Sequence, residues 1–207
     1  MRVAIVGGTG AFGRGLAGRW RDIDGVDIVI GSREVERAER QATVIGVEGA
    51  TNADAVRGAD LVVLAVESRF TVDTARDLAD SIGDAIVLSV ASDLRFTKAG
   101  VAPGRNEGSL AEDVAALVRG PVVSGFQAIP AAGLARPQLL DEDVLVCGDD
   151  SDAKHAVMEL GQTLVRGRAV DAGPLANARA LESMTAVILH VNRTYKVLAG
   201  LRLTGFE

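Results

Sequence analysis

The chain has 207 residues, 48% of them apolar and 24% charged, with 22 Lys and Arg against 28 Asp and Glu for a net charge of −6. That length holds one good-sized domain or a domain with a small appendage, and the acidic balance argues against nucleic acid as a partner. A single cysteine, Cys147, and two histidines, His155 and His190, exclude an internal disulfide framework and a cysteine-based structural metal site.

In chain order, the apolar runs at 3–6, 28–30, 61–66 and 85–88 have strand length and no polar alternates, as parallel strands buried on both faces require. Between them, 12–23, 35–43, 53–58 and 72–82 carry one apolar side each and predict helices, with a weak further strand at 44–47. Strand–helix alternation of this kind predicts right-handed βαβ units and a Rossmann-type, doubly wound parallel sheet. The pattern breaks from Ser89 to Gly108. Ser109-Leu110-Ala111-Glu112 then has the form of a capping box opening a helix to about Arg119. Strands are expected at 121–124 and 144–147, and a helix at 149–165 with acidic residues at its start. After Gly173-Pro174, apolar residues at Leu181, Met184, Ile188, Val191, Tyr195 and Leu198 form a heptad-like stripe, predicting one long helix over 174–199. No internal repeat or linker is visible. No run approaches the roughly 18 apolar residues of a membrane span, and 3–6 is too short for a signal-peptide core, so a cytoplasmic location without a membrane partner is expected.

Gly8-Thr9-Gly10-Ala11-Phe12-Gly13 matches G-x-G-x-x-G, but random placement of 24 glycines would give roughly 0.3 such matches per chain. Gly13-Arg14-Gly15-Leu16-Ala17-Gly18 matches as well. Context separates them. The first follows the strand at 3–6 and opens a helix, which puts backbone N–H groups around a pyrophosphate. The second lies inside that helix, where its glycines are expected to let the helix pack closely on the sheet.

The end of the second strand distinguishes the two dinucleotides. NAD sites place a carboxylate there for the ribose 2′-OH, whereas this chain has Gly31-Ser32-Arg33 with Arg37 one turn on. A hydroxyl and a guanidinium suit a 2′-phosphate, which favours NADP(H). The alternative is a solvated helix face in which Arg33, Arg37 and Arg40 pair with Glu34 and Glu36.

Arg2-Val3-Ala4-Ile5-Val6-Gly7-Gly8-Thr9-Gly10, the Gly31-Ser32-Arg33 step and Thr74-Ala75-Arg76-Asp77-Leu78 resemble the NADPH-dependent coenzyme F420 reductases. So do Ile129-Pro130-Ala131-Ala132, Cys147-Gly148-Asp149-Asp150 and the block from Asp171 to Leu175 that continues through Asn177, Arg179, Glu182 and Ser183. The resemblance spans nearly the whole chain. It implies an NADP-binding Rossmann domain over 1–125 and a small, mostly helical C-terminal domain over 126–207 that closes the cleft, in a homodimer. It further implies hydride transfer between NADP(H) and coenzyme F420, small-molecule redox cofactors being the partners. The implied cofactor-binding residues are Gly8, Thr9, Gly10, Ala11, Phe12 and Gly13 of the turn, Ser32, Arg33 and Arg37 at the phosphate, and Val66, Ala91, Ile129 and Pro130 along the cleft. The deazaflavin would lie against 124–131. The chain departs from the family pattern at 66–70, at 89–93 and at Gln127, where a histidine is common; all three are expected near the hydride-transfer site.

Hydride transfer between two rings needs them held within about 3–3.5 Å with water excluded, and no side-chain acid or base. Ser92 and Gln127 are candidates for positioning the second substrate. His155 is expected at the surface, Tyr195 in packing, and Cys147 as a buried small hydrophobe. Two alternatives stay open: an NADP-dependent reductase of another flavin or small carbonyl compound, and a non-catalytic NADP-binding sensor.

Overall fold

The runs without polar alternates become strands covered on both sides. In the computed structural model, which describes residues 1–206, every residue of 3–6 and 61–64 is fully buried. The first half alternates β1 (Arg2–Val6), α1 (Ala11–Trp20), β2 (Asp27–Ser32), α2 (Val35–Ile45), β3 (Glu48–Thr51), α3 (Asn52–Val56), β4 (Leu61–Leu64), α4 (Ser68–Ile82) and β5 (Ile86–Ser89). A hairpin of β6 (Leu94–Thr97) and β7 (Gly100–Pro103) follows, then α5 (Leu110–Ala115), β8 (Val122–Gly125) and the one-turn α6 (Ala131–Leu134). The chain continues through β9 (Val144–Gly148), α7 (Ser151–Gln162), β10 (Ala169–Asp171), a 3₁₀ turn at Leu175–Asn177 and α8 (Ala178–Tyr195).

Eight strands form one sheet in the order β10-β9-β8-β5-β4-β1-β2-β3, all parallel except the β8–β9 pair. The antiparallel step departs from the expected wholly parallel sheet. Between β8 and β9 the only helix is α6, one turn long, so no crossover returns the chain to the starting end. Alternate residues of each central strand feed opposite cores. Val3 and Ile5 pack with Leu16, Trp20, Val157 and Leu160 on the side of α1 and α7, while Ala4 and Val6 pack with Ala75, Val114 and Leu181 on the side of α4, α5 and α8. Because β9 and β10 extend the same sheet as β1–β5, residues 126–207 share a backbone ladder with residues 1–125.

Several local expectations shift. The strand placed at 44–47 is helix to Ile45, closed by Gly46 at φ 87°, and β3 begins at Glu48. Residues 89–108 hold the β6–β7 hairpin, and β10 and α6 had no clear pattern in sequence. The last helix starts at Ala178 rather than 174 and ends with Lys196 in the left-handed region at φ 53°. Of its stripe, Leu181 is buried but Tyr195 is 71% exposed, so Tyr195 is not a packing residue.

Trp20 joins the sheet to α7. It is fully buried, donates its indole N–H to Leu160 O at 3.2 Å, and meets Phe126 edge-on at 6.1 Å between centroids. Trp20→Ala should lower unfolding stability by about 3–5 kcal/mol. Trp20→Phe, which keeps a ring but loses the hydrogen bond, should cost distinctly less; chemical denaturation followed by circular dichroism compares the two.

Candidate active site

The strand order reverses between β1 and β4, so their carboxyl ends diverge and leave a crevice above the sheet. The glycine turn after β1 fills one side. A Cβ on Gly8 would lie 2.5 Å from the Ile30 Cβ and 2.8 Å from Ile5 O, and one on Gly13 would lie 2.7 Å from the Gly8 Cα. Gly8 therefore lets the turn sit on β2, and Gly13 lets α1 descend on the turn. Gly8 N–H donates to Ile5 O and Gly31 O, and Gly10 N–H to Gly7 O. Among the described residues, the amides of Thr9, Ala11, Phe12 and Gly13 have no partner, and α1 has neither a side-chain cap nor an acidic residue in its first turn. Unpartnered amides at the start of a ten-residue helix are the groups that can receive an anion. In the second glycine match, Gly15 makes room for Leu134 of α6 rather than for the sheet, and a Cβ on Gly18 would meet nothing within 4 Å.

From this turn the crevice runs in two directions. One arm, about 330 Å³, is lined by Thr9, Gly10, Ser32, Arg33, Arg37, Asn52, Val66 and Phe70, with the carboxylates Glu67, Asp73 and Asp77 on its α4 side. Ser32 is buried and its Oγ accepts from Glu34 N–H at 3.3 Å, which leaves its own O–H to donate. Arg33 and Arg37 are exposed and, with Arg40, form no ion pair among the described residues, so the expected alternative of pairing with Glu34 and Glu36 is not seen. The Arg33 guanidinium lies 5.8 Å from the Phe70 ring centroid, and Arg69, paired with Glu67 at 2.9 Å, lies over the same ring at 4.6 Å. The stretch 66–70 thus lines mainly this arm. Sequence reasoning had placed it at the hydride-transfer site, and only Val66 reaches both arms.

The other arm, about 320 Å³, joins the first at Ala65 and Val66 and is walled by Phe12, Ala91, Ser92, Gln127, Ile129, Pro130, Thr185, Ile188, Leu189 and Asn192, with Leu94 of the hairpin. No residue lining it is titratable near neutral pH. Three elements are pinned around it by hydroxyls. Thr185 Oγ1 donates to Gln127 O at 3.1 Å and lies 2.8 Å from Ser92 Oγ. Gln127 is buried; its Nε2 donates to Ser89 O at 3.2 Å and Ser124 Oγ at 2.8 Å, while its Oε1 has no partner. A buried, unpartnered amide oxygen is costly unless something donates to it. The preceding residue, Phe126, is buried at φ 73°, an uncommon conformation for a bulky side chain, and it turns the chain from β8 into the pocket wall. Thr185 had no signal of its own in sequence, because its partners lie 93 and 58 residues away.

Of the remaining candidates, Gly8 and Gly13 shape the turn without lining the crevice, and Ala11 sits exposed at the helix start. His155 is exposed beside Glu159, as expected of a surface residue. Cys147 is fully buried and burial pushes its thiol up to about 11, which keeps it protonated and unreactive. Behind the inner arm, Glu182 of α8 is 3% exposed and accepts from the amides of Leu110 and Ala111 at 3.1 and 3.2 Å. At the same helix start Ser109 Oγ accepts from Glu112 N–H at 3.1 Å, the first half of the expected capping box, and donates to Glu112 Oε2 at 2.8 Å, where the box would have the carboxylate accept from the Ser109 N–H. The α5 amides therefore hold the pocket-forming helix in place.

A sheet of this order with a glycine turn at its reversal defines a Rossmann-type α/β protein. The family model described as NADP oxidoreductase coenzyme F420-dependent matches residues 2–93. The F420-dependent NADP reductase of Methanocaldococcus jannaschii is 35% identical over all of both chains, and that of Methanothermobacter thermautotrophicus is 34% identical over 99% of this chain and 95% of its own. Among solved structures, a candidate F420-dependent NADP reductase from Arthrobacter sp. FB24 superposes with a TM-score of 0.87 over 99% of this chain and 100% of its own; at 24% identity this bears on the fold. The chain belongs to the F420-dependent NADP reductase family.

Burial holds the Glu182 carboxyl up at about 7, against the two amide hydrogen bonds and Arg105, which favour the anion. Below its ordinary value of 4.5 both folded and unfolded states carry the proton; between 4.5 and about 7 only the folded state does. Stability should therefore fall as pH rises through that window, by on the order of 1–3 kcal/mol, and level off above it. Glu142, raised to about 7 by burial and by Asp141, acts in the same window. Denaturant unfolding at pH 5 and pH 8 should show a smaller difference in Glu182→Gln than in wild type.

Proposed function

We propose that this chain transfers hydride between NADP(H) and coenzyme F420. The observation that carries the reading is the meeting, at Ala65 and Val66, of an arm that presents Ser32, Arg33 and Arg37 with an arm lined without titratable groups. When bound, NADPH supplies the hydride and the deazaflavin ring the carbon that accepts it. A reductase of ketones or imines would need a proton donor beside the substrate atom. Ring-to-ring hydride transfer asks for alignment and dryness at the reacting carbons, which the apolar lining of Phe12, Ile129, Pro130 and Ile188 provides. The conjugated ring would hold the added charge until its nitrogen takes the balancing proton from solvent, so no side-chain acid is needed.

In this reading the amides of Thr9, Ala11, Phe12 and Gly13 receive the pyrophosphate, with Gly8, Gly10 and Gly13 keeping the approach open. Ser32, Arg33 and Arg37 hold the 2′-phosphate. Val66, Ala91, Ile129 and Pro130 flank the nicotinamide. Gln127 presents its unpartnered Oε1 as an acceptor, with Ser92 and Thr185 fixing the wall behind it. Residues 126–207 act as the closing part over a nucleotide-binding part of 1–125. The outward end of α8, with Tyr195 71% exposed, and Leu198 just beyond it, 38% exposed, support a homodimer through that surface. Nucleic acid has no part in this reading, in keeping with the net charge of −6. Among the described residues no helix is long and apolar enough to cross a membrane, which accords with the proposed cytoplasmic location.

Mixing the protein with NADPH and oxidised coenzyme F420 should bleach the deazaflavin absorbance, much more slowly with NADH. Intact NADPH binding with no bleaching would redirect the second substrate to another flavin or a carbonyl compound. Arg33→Ala should weaken NADPH binding by roughly tenfold or more with little effect on NADH, measured by titration of nicotinamide fluorescence; equal weakening of both would remove Arg33 from the 2′-phosphate.

A further inference from the structure

Beyond the inner arm, α8 and the β6–β7 hairpin meet again to form a separate open cavity of about 320 Å³, lined by Lys98, Ala99, Gly100, His190, Arg193 and Thr194. The two cavities share their walls. On α8, Thr185, Ile188, Leu189 and Asn192 line the inner arm, and His190, Arg193 and Thr194 line the outer cavity from the adjoining row. On the hairpin, Leu94 faces the inner arm and Lys98 sits at the turn of the outer one. Gly100, at φ 135°, allows that turn to close on the helix, since a Cβ there would lie 2.9 Å from His190 Nδ1.

The charge of this region is the reverse of the chain's. With 28 acidic residues against 22 basic ones, the protein nonetheless has no Asp or Glu between 94 and 103 or between 183 and 206. Those two stretches carry Arg95, Lys98, His190, Arg193 and Lys196, while Arg202 lies farther on, where the chain packs against Asp141 to Asp143. Asp93, the acidic residue next to the hairpin, is taken up by Arg105 at 3.2 Å. Lys98 and Arg193 are exposed and form no ion pair among the described residues. Unpaired cations gathered on two elements, beside a cavity and against the overall charge, mark an anion-binding surface.

We infer that the Lys98–His190–Arg193 cavity binds the anionic side chain of the second substrate, a phosphodiester and carboxylate tail running outward from the ring pocket. The inference rests on the proposed reading of coenzyme F420, whose ring bears a tail of that chemistry. It adds affinity for the intact coenzyme over its ring portion, and it makes that affinity depend on salt.

Equilibrium binding without turnover, read from deazaflavin fluorescence, tests the assignment. Intact F420 should bind at least about tenfold more tightly than the ring compound lacking phosphate and glutamates, and the preference should shrink between 50 mM and 500 mM salt. In Lys98→Ala/Arg193→Ala the ratio of the two Kd values should fall toward one, while Lys98→Arg/Arg193→Lys should restore it. Both sites are exposed, and circular dichroism verifies that the variants are folded. An unchanged ratio in the alanine variant overturns the tail site and leaves the reaction assignment standing. If neither deazaflavin binds although NADPH does, the reaction assignment falls and the tail site with it.

Discussion

The crevice depends on one unfilled row of backbone amides at the carboxyl end of β1. A parallel sheet buried on both faces puts that end between diverging neighbours, and the missing side chains of Gly8 and Gly13 bring the turn onto Ile30 and α1 onto the turn. The amides of Thr9, Ala11, Phe12 and Gly13 are left without partners among the described residues, with no acidic residue in the first turn of α1 to quench them. An N-terminal helix dipole in that position attracts phosphate before any basic side chain is counted. Arg33 and Arg37 then add charge at the far end of the same arm, unpaired, with Phe70 beneath one guanidinium.

The second arm is held differently. Its walls come from the loop after β5, the strained turn after β8, and α8, none of which touches another in sequence. Thr185 ties all three through Ser92 and the Gln127 carbonyl, and Glu182, one turn earlier on α8, is clamped by the α5 amides. A threonine and a glutamate three residues apart lie on one face of a helix, so a single face of α8 fixes the pocket wall against the sheet. The same face cannot anchor the distal half of the helix, which carries the cationic row instead.

This division explains why the two arms are unequally visible in sequence. Asn52 and 65–77 supply one side of the first arm. The opposite, phosphate-facing side is built from short-range features: a strand, a glycine turn and the residues closing the next strand, all within the first 37 positions. Its chemistry could be read directly from Gly31-Ser32-Arg33. The place of Phe70 in this arm was not legible, because its contact with Arg33 spans 37 residues and no local pattern encodes it. The hairpin at 94–103 and β10 were missed for a related reason: partly exposed strands of three or four residues lack the alternation that longer, half-buried ones show.

The sequence by itself determined the sheet class, the glycine turn, the preference for a phosphorylated ribose and, through resemblance, the family. Each follows from local periodicity or from residue types at fixed spacing, because buried parallel strands and helix starts impose their requirements over a few neighbouring positions. Only the tertiary structure decided the antiparallel turn into β9, the sharing of one sheet by both halves, the Thr185 and Glu182 clamps and the gathering of Lys98 with Arg193. Those features are contacts between residues far apart in the chain, where burial and hydrogen bonding act through space and leave no period in the sequence to read.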